Sequence, residues 1–249
     1  NYWSSKEDML TLAKRADALG MGIMVDFHYS DNWADPGKQI IPAAWKDYSY
    51  EQMKEAVAKH TRETLQLLKD NNIYPTWVQV GNETSHGMLW DMGNNHKNME
   101  QYVGLNNAGY DAVKSVFPRT ICIVHLDNGF DAQLYNRVFD GMKQYGGKYD
   151  LIGMSLYPYW AAKSDPMLTA DKILKDCMNN ITALYKKYKK ECMIVETGTQ
   201  VDTPESSKAF MMNLMKEAKA NPHCKGVLYW EPECESGYEL GSFKDGRAT

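Results

Sequence analysis

Hydrophobic and polar positions alternate along this chain with two periods in turn. Met9, Leu10, Leu12, Ala13, Ala16 and Leu19 recur at helical spacing behind Ser4-Ser5-Lys6-Glu7, which reads as a capping box, and Gly20 stops that helix. A strand is expected over residues 22–29, running into a polar, aromatic loop with Trp33, Asp35-Pro36-Gly37 and Trp45. Ser49-Tyr50-Glu51-Gln52 is a second capping box, and Met53, Val57, Leu65 and Leu68 carry the helix it opens. Residues 76–83, Thr-Trp-Val-Gln-Val-Gly-Asn-Glu, read as a strand that places Gln79, Gly81 and Glu83 on one face and Val78, Val80 and Asn82 on the other. A Gly- and Asn-rich loop over residues 84–95 holds His86 and Trp90. A helix follows through Met99, Tyr102, Val103, Ala108, Val113 and Val116. Further strands are expected at residues 121–126, 151–157, 193–196 and 226–230, alternating with amphipathic helices near 133–145, 170–189 and 206–220.

Six strand-then-helix units with no Pro/Gly/Ser linker predict a parallel sheet, either doubly wound or closed as an eight-stranded barrel. The polar residues choose between these. Asp26, His28, Glu83, His125, Asp127, Tyr157, Glu196 and Trp230 all fall at C-terminal strand ends spread over every strand, and a barrel gathers such ends into one mouth whereas a doubly wound sheet concentrates its site at one switch point. Six strands do not close that barrel. The expectation is therefore an α/β fold, a (β/α)8 TIM barrel present as strands three to eight, with residues 1–249 a single catalytic domain incomplete at its N-terminus.

Composition narrows the partners. The 249 residues are enough for a large core, and a net charge of −4 gives no reason to expect a polyanion, so no nucleic acid is expected. No apolar run reaches the roughly 20 residues of a membrane span, and Asn1-Tyr2-Trp3 does not begin a signal segment. Five cysteines without a C-x-x-C describe neither a metal knot nor a disulfide scaffold. Cys122 and Cys192, at strand starts, read as buried thiols; Cys224 and Cys234 flank the last strand and are a candidate pair in an oxidising compartment. The 16 tyrosines and 7 tryptophans supply flat faces of the kind that bind sugar rings, although most belong in the core.

Two apolar strands closed by glutamates fit glycoside hydrolysis. In its retaining form one carboxylic acid protonates the leaving oxygen and a second carboxylate, about 5 to 5.5 Å away, attacks the anomeric carbon. Glu83, flanked by Asn82, is the expected acid/base and Glu196 the expected nucleophile; either alone would read as a surface glutamate. Tyr157 is placed to donate to a carboxylate, against the alternative of a barrel-core tyrosine. Trp230 is placed to floor the subsite of the attacked sugar, against a barrel plug. His28, with Asp26 on its face, is expected to bind a sugar hydroxyl or orient Glu83. Trp33, Asn82, Trp90, His125 and Asp127 complete the expected substrate-binding set.

The run DFHYSDNWADPGKQ from Asp26 to Gln39, PAAW at Pro42 to Trp45, GNE and GMLW between Gly81 and Trp90, VET at Val195 to Thr197 and YWEPE at Tyr229 to Glu233 closely resemble glycoside hydrolase family 53. The match extends from about Leu12 to the terminal GRAT. The resemblance implies a retaining endo-β-1,4-galactanase acting on galactan and arabinogalactan, the side chains of pectin, with Glu83 matching the acid/base and Glu196 the nucleophile. It implies a secreted, cell-surface or periplasmic monomer without cofactor or metal. Two departures stand out. The family's first two strands, the second carrying an arginine near the nucleophile, have no counterpart here, and the loops after Glu196 and Pro232 are short, so no calcium is expected in them. Two rival readings remain: a metal-dependent sugar isomerase-like barrel using His28, Glu83, His125, Asp127 and Glu196 as ligands, and a non-catalytic glycan-binding barrel.

Overall fold

The structure is a computed structural model that describes residues 4–234 and 237–248. Asn1-Tyr2-Trp3 and the last residue of the GRAT run lie outside the described residues. The chain divides into two compact units, one running to His125 and adding Val138–Leu151, the other made of Leu126–Arg137 and the described residues from Ile152 onward.

In the first unit, strands β1 (Met24–Phe27), β2 (Trp77–Val80) and β3 (Ile121–Leu126) lie parallel with β2 in the middle; Asp26 is in register with Gln79, and Gln79 with Ile123. Each strand is preceded by a helix: α1 (Lys6–Ala18), α2 (Tyr50–Asp70) and α3 (Met99–Val116). Ser49 and Gln52 cap α2 reciprocally as expected, satisfying two amides that have no partner within the helix. The first capping box is displaced by one residue from the expected place. Ser5, not Ser4, is the N-cap, because Asp8 rather than Glu7 stands at the third helical position and returns the bond to the Ser5 amide. Met53, Val57, Leu65 and Leu68 are buried along one stripe of α2, as their spacing requires.

In the second unit, β4 (Leu151–Leu156), β5 (Cys192–Thr197) and β6 (Cys224–Val227) are parallel, with β5 in the middle. Every position of β4 and β5 is buried, the sign of a parallel sheet covered on both faces. α4 (Ala132–Gln144) follows β3; the short α5 (Pro158–Ser164) and the long α6 (Ala170–Tyr188) follow β4, and α7 (Pro204–Ala220) follows β5. The periodicity did not anticipate α5. Ile173, Cys177, Ile181 and Leu184 form the buried stripe of α6. Cys122 and Cys192 are buried thiols as expected, and burial pushes Cys122 up to about 12. Cys224 does not form the candidate pair; its thiol lies 3.7 Å from the Gly226 carbonyl. Among the described residues no helix is long and apolar enough to cross a membrane.

Candidate active site

The corner around Glu83 is built from backbone geometry. β2 stops at Val80, short of the expected strand end, so the alternation that would have put Glu83 on the Gln79 face does not reach it. Gly81 takes φ +90° and Glu83 φ 44°, both in the left-handed region, and the chain turns into a 3-10 helix over Thr84–His86. A Cβ on Gly81 would come within 2.6 Å of the Thr84 methyl, so the turn is restricted sterically as well as conformationally.

Asn82 ties this turn to the loop after β1. Its amide nitrogen donates to the Ala34 carbonyl at 2.8 Å, and its own carbonyl accepts from Gln39 Nε2 at 2.8 Å. The first of these bonds fixes Asn82 Oδ1 as an acceptor, so His125 Nδ1, 3.0 Å away, is the protonated nitrogen and donates to it. The Glu83 amide also points at that nitrogen from 3.4 Å, but one nitrogen cannot donate and accept together, and the shorter bond decides. His125 has no exposed surface, and burial lowers its pKa to about 4, which keeps the ring neutral. Thr84 Oγ1 completes the corner, 2.8 Å from the Tyr102 hydroxyl and donating to the His125 carbonyl at 3.2 Å.

Asp26 and His28 meet at the end of β1, with His28 Nε2 3.4 Å from Asp26 Oδ2. His28 Nδ1 accepts from the Ala34 amide at 2.9 Å, so Nε2 carries the proton and faces the carboxylate. The other oxygen, Asp26 Oδ1, is buried and has no hydrogen-bond partner, and the same holds for Gln79 Oε1 on the adjoining strand. Trp33 stands edge-on to His28 at 5.3 Å with 61% of its surface exposed, leaving an indole face to solvent. Trp90 is fixed at both ends: its indole N–H donates to the His86 carbonyl at 2.9 Å and its amide to the Gln39 carbonyl at 2.7 Å.

Glu196 in the second unit is carried in a different way. It lies inside β5, in register with Ser155 just past a register shift that leaves Val195 of β5 as the extra residue, and is only 9% exposed. The Tyr157 hydroxyl donates to Glu196 Oε2 at 3.0 Å. A hydrogen bond also links the Tyr157 and Tyr238 hydroxyls, so a chain of two phenols ends on the carboxylate. Burial and then the charge of Glu196 hold Tyr157 far above the ordinary phenol range, so it stays a donor at any working pH. Tyr157 itself lies one residue beyond β4, as the N-cap residue of α5. Trp230 lies three residues beyond β6, where its amide donates to the Thr197 carbonyl at 2.9 Å and its ring meets Tyr238 edge-on at 4.9 Å. Asp127 follows β3 directly and accepts from the Asn128 amide group at 2.8 Å.

Sequence reasoning missed Gln79 as a site residue, and missed Tyr229 and Tyr238 altogether. The Tyr229 hydroxyl binds the Thr199 amide at 3.1 Å and the Leu240 carbonyl at 2.9 Å, pinning the segment after Glu196 to the C-terminal loop. Gly198 in that segment is packed so closely that a Cβ would lie 3.0 Å from the Leu240 carbonyl and 3.1 Å from the Tyr157 ring. The YWEPE run contains Tyr229, but only the fold reveals what its hydroxyl reaches. Among the described residues, no three His, Cys, Asp or Glu side chains are grouped to hold a metal ion.

The repeating β/α units carry the architecture of a (β/α)-barrel glycoside hydrolase. The family model for glycosyl hydrolase family 53 matches residues 1–248, and the chain belongs to that family. It is 30% identical over 256 residues to an arabinogalactan endo-β-1,4-galactanase of Thermothelomyces thermophilus, covering 94% of this chain and 74% of the relative. It is 36% identical over 199 residues to an uncharacterized protein in the bgaB 5′ region of Niallia circulans, which involves 77% of this chain and 52%, about half, of that protein. The Ignisphaera aggregans GH53 catalytic domain superposes with a TM-score of 0.84 at 29% identity, over 95% of this chain and 71% of that one.

Proposed function

We propose that this protein cleaves β-1,4-galactosidic bonds inside galactan and arabinogalactan by double displacement with retention, working outside the cell where such polysaccharides lie. The observation that carries the reading is the buried, strand-borne Glu196, whose carboxylate is oriented by a hydrogen bond from the Tyr157 hydroxyl. Glu196 attacks the anomeric carbon while the glycosidic bond breaks, and Glu83, as the acid, gives its proton to the departing oxygen. Water then attacks the glycosyl-enzyme ester, Glu83 takes the water's proton, and Glu196 leaves as the carboxylate. Support for the substrate comes from family membership and from the named activity of the Thermothelomyces relative.

Asp26, His28, Trp33, Trp90, Asp127 and Trp230 supply the sugar contacts in this reading, while Asn82 and His125 act by positioning the turn that carries Glu83. The unpartnered acceptors Asp26 Oδ1 and Gln79 Oε1 suit sugar hydroxyls as donors, since buried oxygens of this kind are rarely left without one. A site that hydrogen-bonds hydroxyls in this way rejects an epimer strongly, because the polar groups are then left unpaired. The test is proton NMR of the first minutes of galactan hydrolysis. A β-anomer appearing before mutarotation, with cellulose and mannan almost untouched, is expected. An initial α-anomer overturns the mechanism, and comparable rates on mannan or cellulose overturn the substrate.

A further inference from the structure

The net charge of −4 conceals an uneven surface. Where α6 ends and β5 begins, in the second unit, Lys186, Lys187, Lys189 and Lys190 fall within five residues, and nothing in the chemistry above uses them. A helix end favours such charge beside its last carbonyls, and Lys189 takes φ 57° to close the final turn, its amide donating to the Tyr185 carbonyl at 2.9 Å. The cluster extends beyond what that turn needs. Lys225, on the adjoining strand β6, is tied at 2.6 Å to Glu191, the residue that precedes β5. Lys216 and Lys219, near the end of α7, line a surface groove of about 590 Å³ together with Lys225. Lys186, Lys189, Lys216 and Lys219 are exposed, and none of the four has an ion pair among the described residues. Glu191 and Glu217 are the only carboxylates in residues 185–191 and 215–225, so the face is strongly basic.

Some of these cations are held in place. Lys187 Nζ donates to Asn136 Oδ1 at 2.7 Å and lies 5.0 Å from the Tyr188 ring centroid, while Lys189 Nζ lies 5.8 Å from that of Tyr185. Tyr185 is steadied in turn by His223, stacked on it at 3.6 Å. Ordered charges lose less freedom on binding. We propose that this basic face binds a uronate-bearing polysaccharide, its ammonium groups pairing with carboxylates spaced along the polymer. The choice among polyanions rests on the function proposed above, since galactan is a side chain of pectin and uronate carboxylates lie along the pectin backbone. The residue types agree. These segments hold lysines and no arginine, point charges instead of bidentate forks, and their rings are engaged with their neighbours, so neither phosphate clamping nor base stacking is provided for. Glu196 lies five residues beyond Glu191 along β5, about 16 Å at the rise of a strand. A backbone held at the strand starts leaves the Glu196 end open to its side chains.

The test is biolayer interferometry on immobilised polygalacturonate at about 20 mM and about 300 mM salt, between which the screening length falls from about 20 Å to about 6 Å. Binding at the lower salt should disappear at the higher. The combined variant Lys186→Gln, Lys189→Gln, Lys219→Gln should bind about tenfold more weakly, at roughly two- to threefold for each exposed charge pair removed. Lys6→Gln, Lys14→Gln, Lys46→Gln, an equal change of charge in the first unit, should bind nearly as the parent does. On neutral galactan both variants should turn over like the parent. On galactan still attached to its uronate backbone, the first should show a KM raised several-fold with kcat unchanged. Matched melting curves identify any loss of fold. Equal weakening in the two variants, no binding to polygalacturonate at low salt, or tighter binding to anionic phospholipid vesicles or to duplex DNA overturns the proposal. A protein that binds polygalacturonate as expected yet leaves galactan intact overturns the function proposed above and leaves the basic face standing.

Discussion

The two glutamates look alike in sequence, each closing a short apolar run, yet the structure supports them by opposite means. Glu196 sits within a fully buried strand, and its side chain is oriented by another side chain, Tyr157, which is itself engaged by Tyr238. Glu83 sits beyond its strand in a left-handed turn, and what is held there is backbone: Asn82 is tied to Ala34, Gln39 and His125, and Thr84 to His125 and Tyr102. A strand supplies direction through its pleat and needs only a donor to set the last torsion. A turn has no pleat, so direction must come from a hydrogen-bonded framework. This suits the proposed division of labour, in which a nucleophile is held still and an acid/base approaches the leaving oxygen and then a water.

The largest expected effect treats the two corners as one unit. Glu196→Ala and Glu83→Ala should each lower turnover of galactan by several orders of magnitude with little change in thermal stability, and the double variant should be scarcely slower than Glu196→Ala alone. Rates measured on galactan with matched melting curves check this. A Glu196→Ala protein retaining most of its activity would sink the assignment, and additive losses would mean that the two corners do not serve one reaction.

The Glu83 framework can be probed by pH without touching either glutamate. His125 has a folded pKa of about 4 against the ordinary 6.5, so between those values the unfolded chain binds a proton that the folded protein does not. Its contribution to stability is complete above pH 6.5 and is lost as pH falls towards 4, by about 3 kcal/mol for a shift of this size. His60, lowered in the same direction by burial among aromatic rings, adds to the slope with the same sign. Denaturant unfolding at pH 7 and pH 4.5 should show His125→Asn losing less stability on acidification than the parent. Equal losses in the two proteins would mean that His125 is protonated in the fold.

Much of this was legible in the chain itself, and the limits have physical causes. The alternation of strand and helix was readable because β4, β5 and the helix stripes are buried by runs of apolar residues whose period depends on local geometry alone. The cap at Ser49 was readable for the same reason. With Ser4 and Ser5 adjacent, and Glu7 and Asp8 adjacent, two registers of the same motif compete, and only the packed helix chooses. The carboxylates were found because they close apolar runs; the bend at Gly81 was not, because one glycine in a strand pattern does not announce a left-handed residue two places later. Tyr229 and Tyr238 were missed because their meaning lies in partners 30 to 81 residues away, Thr199 for one and Tyr157 for the other. α5 is too short, at seven residues, to establish a period.

The smallest effects belong to the Glu196 corner and would sharpen the contrast most. Tyr157→Phe removes the donor to Glu196 Oε2 while keeping the ring that packs against Gly198. A hydrogen bond to a charged group contributes about 1.5 to 3 kcal/mol, so kcat should fall by about 10- to 100-fold, with KM little changed because the bond orients the attacking group and does not touch the sugar. Tyr238→Phe removes only the bond to Tyr157, and a neutral bond contributes about 1 kcal/mol, so the loss should be about fivefold. The order of the two variants is the informative result. A phenol chain ending on the carboxylate requires the nearer link to matter more, and the double variant should match Tyr157→Phe, because the outer hydroxyl acts only through the inner one. If Tyr238→Phe is as slow as Tyr157→Phe, or if KM rises while kcat holds, then Tyr238 touches the substrate directly and Glu196 is oriented by the strand alone.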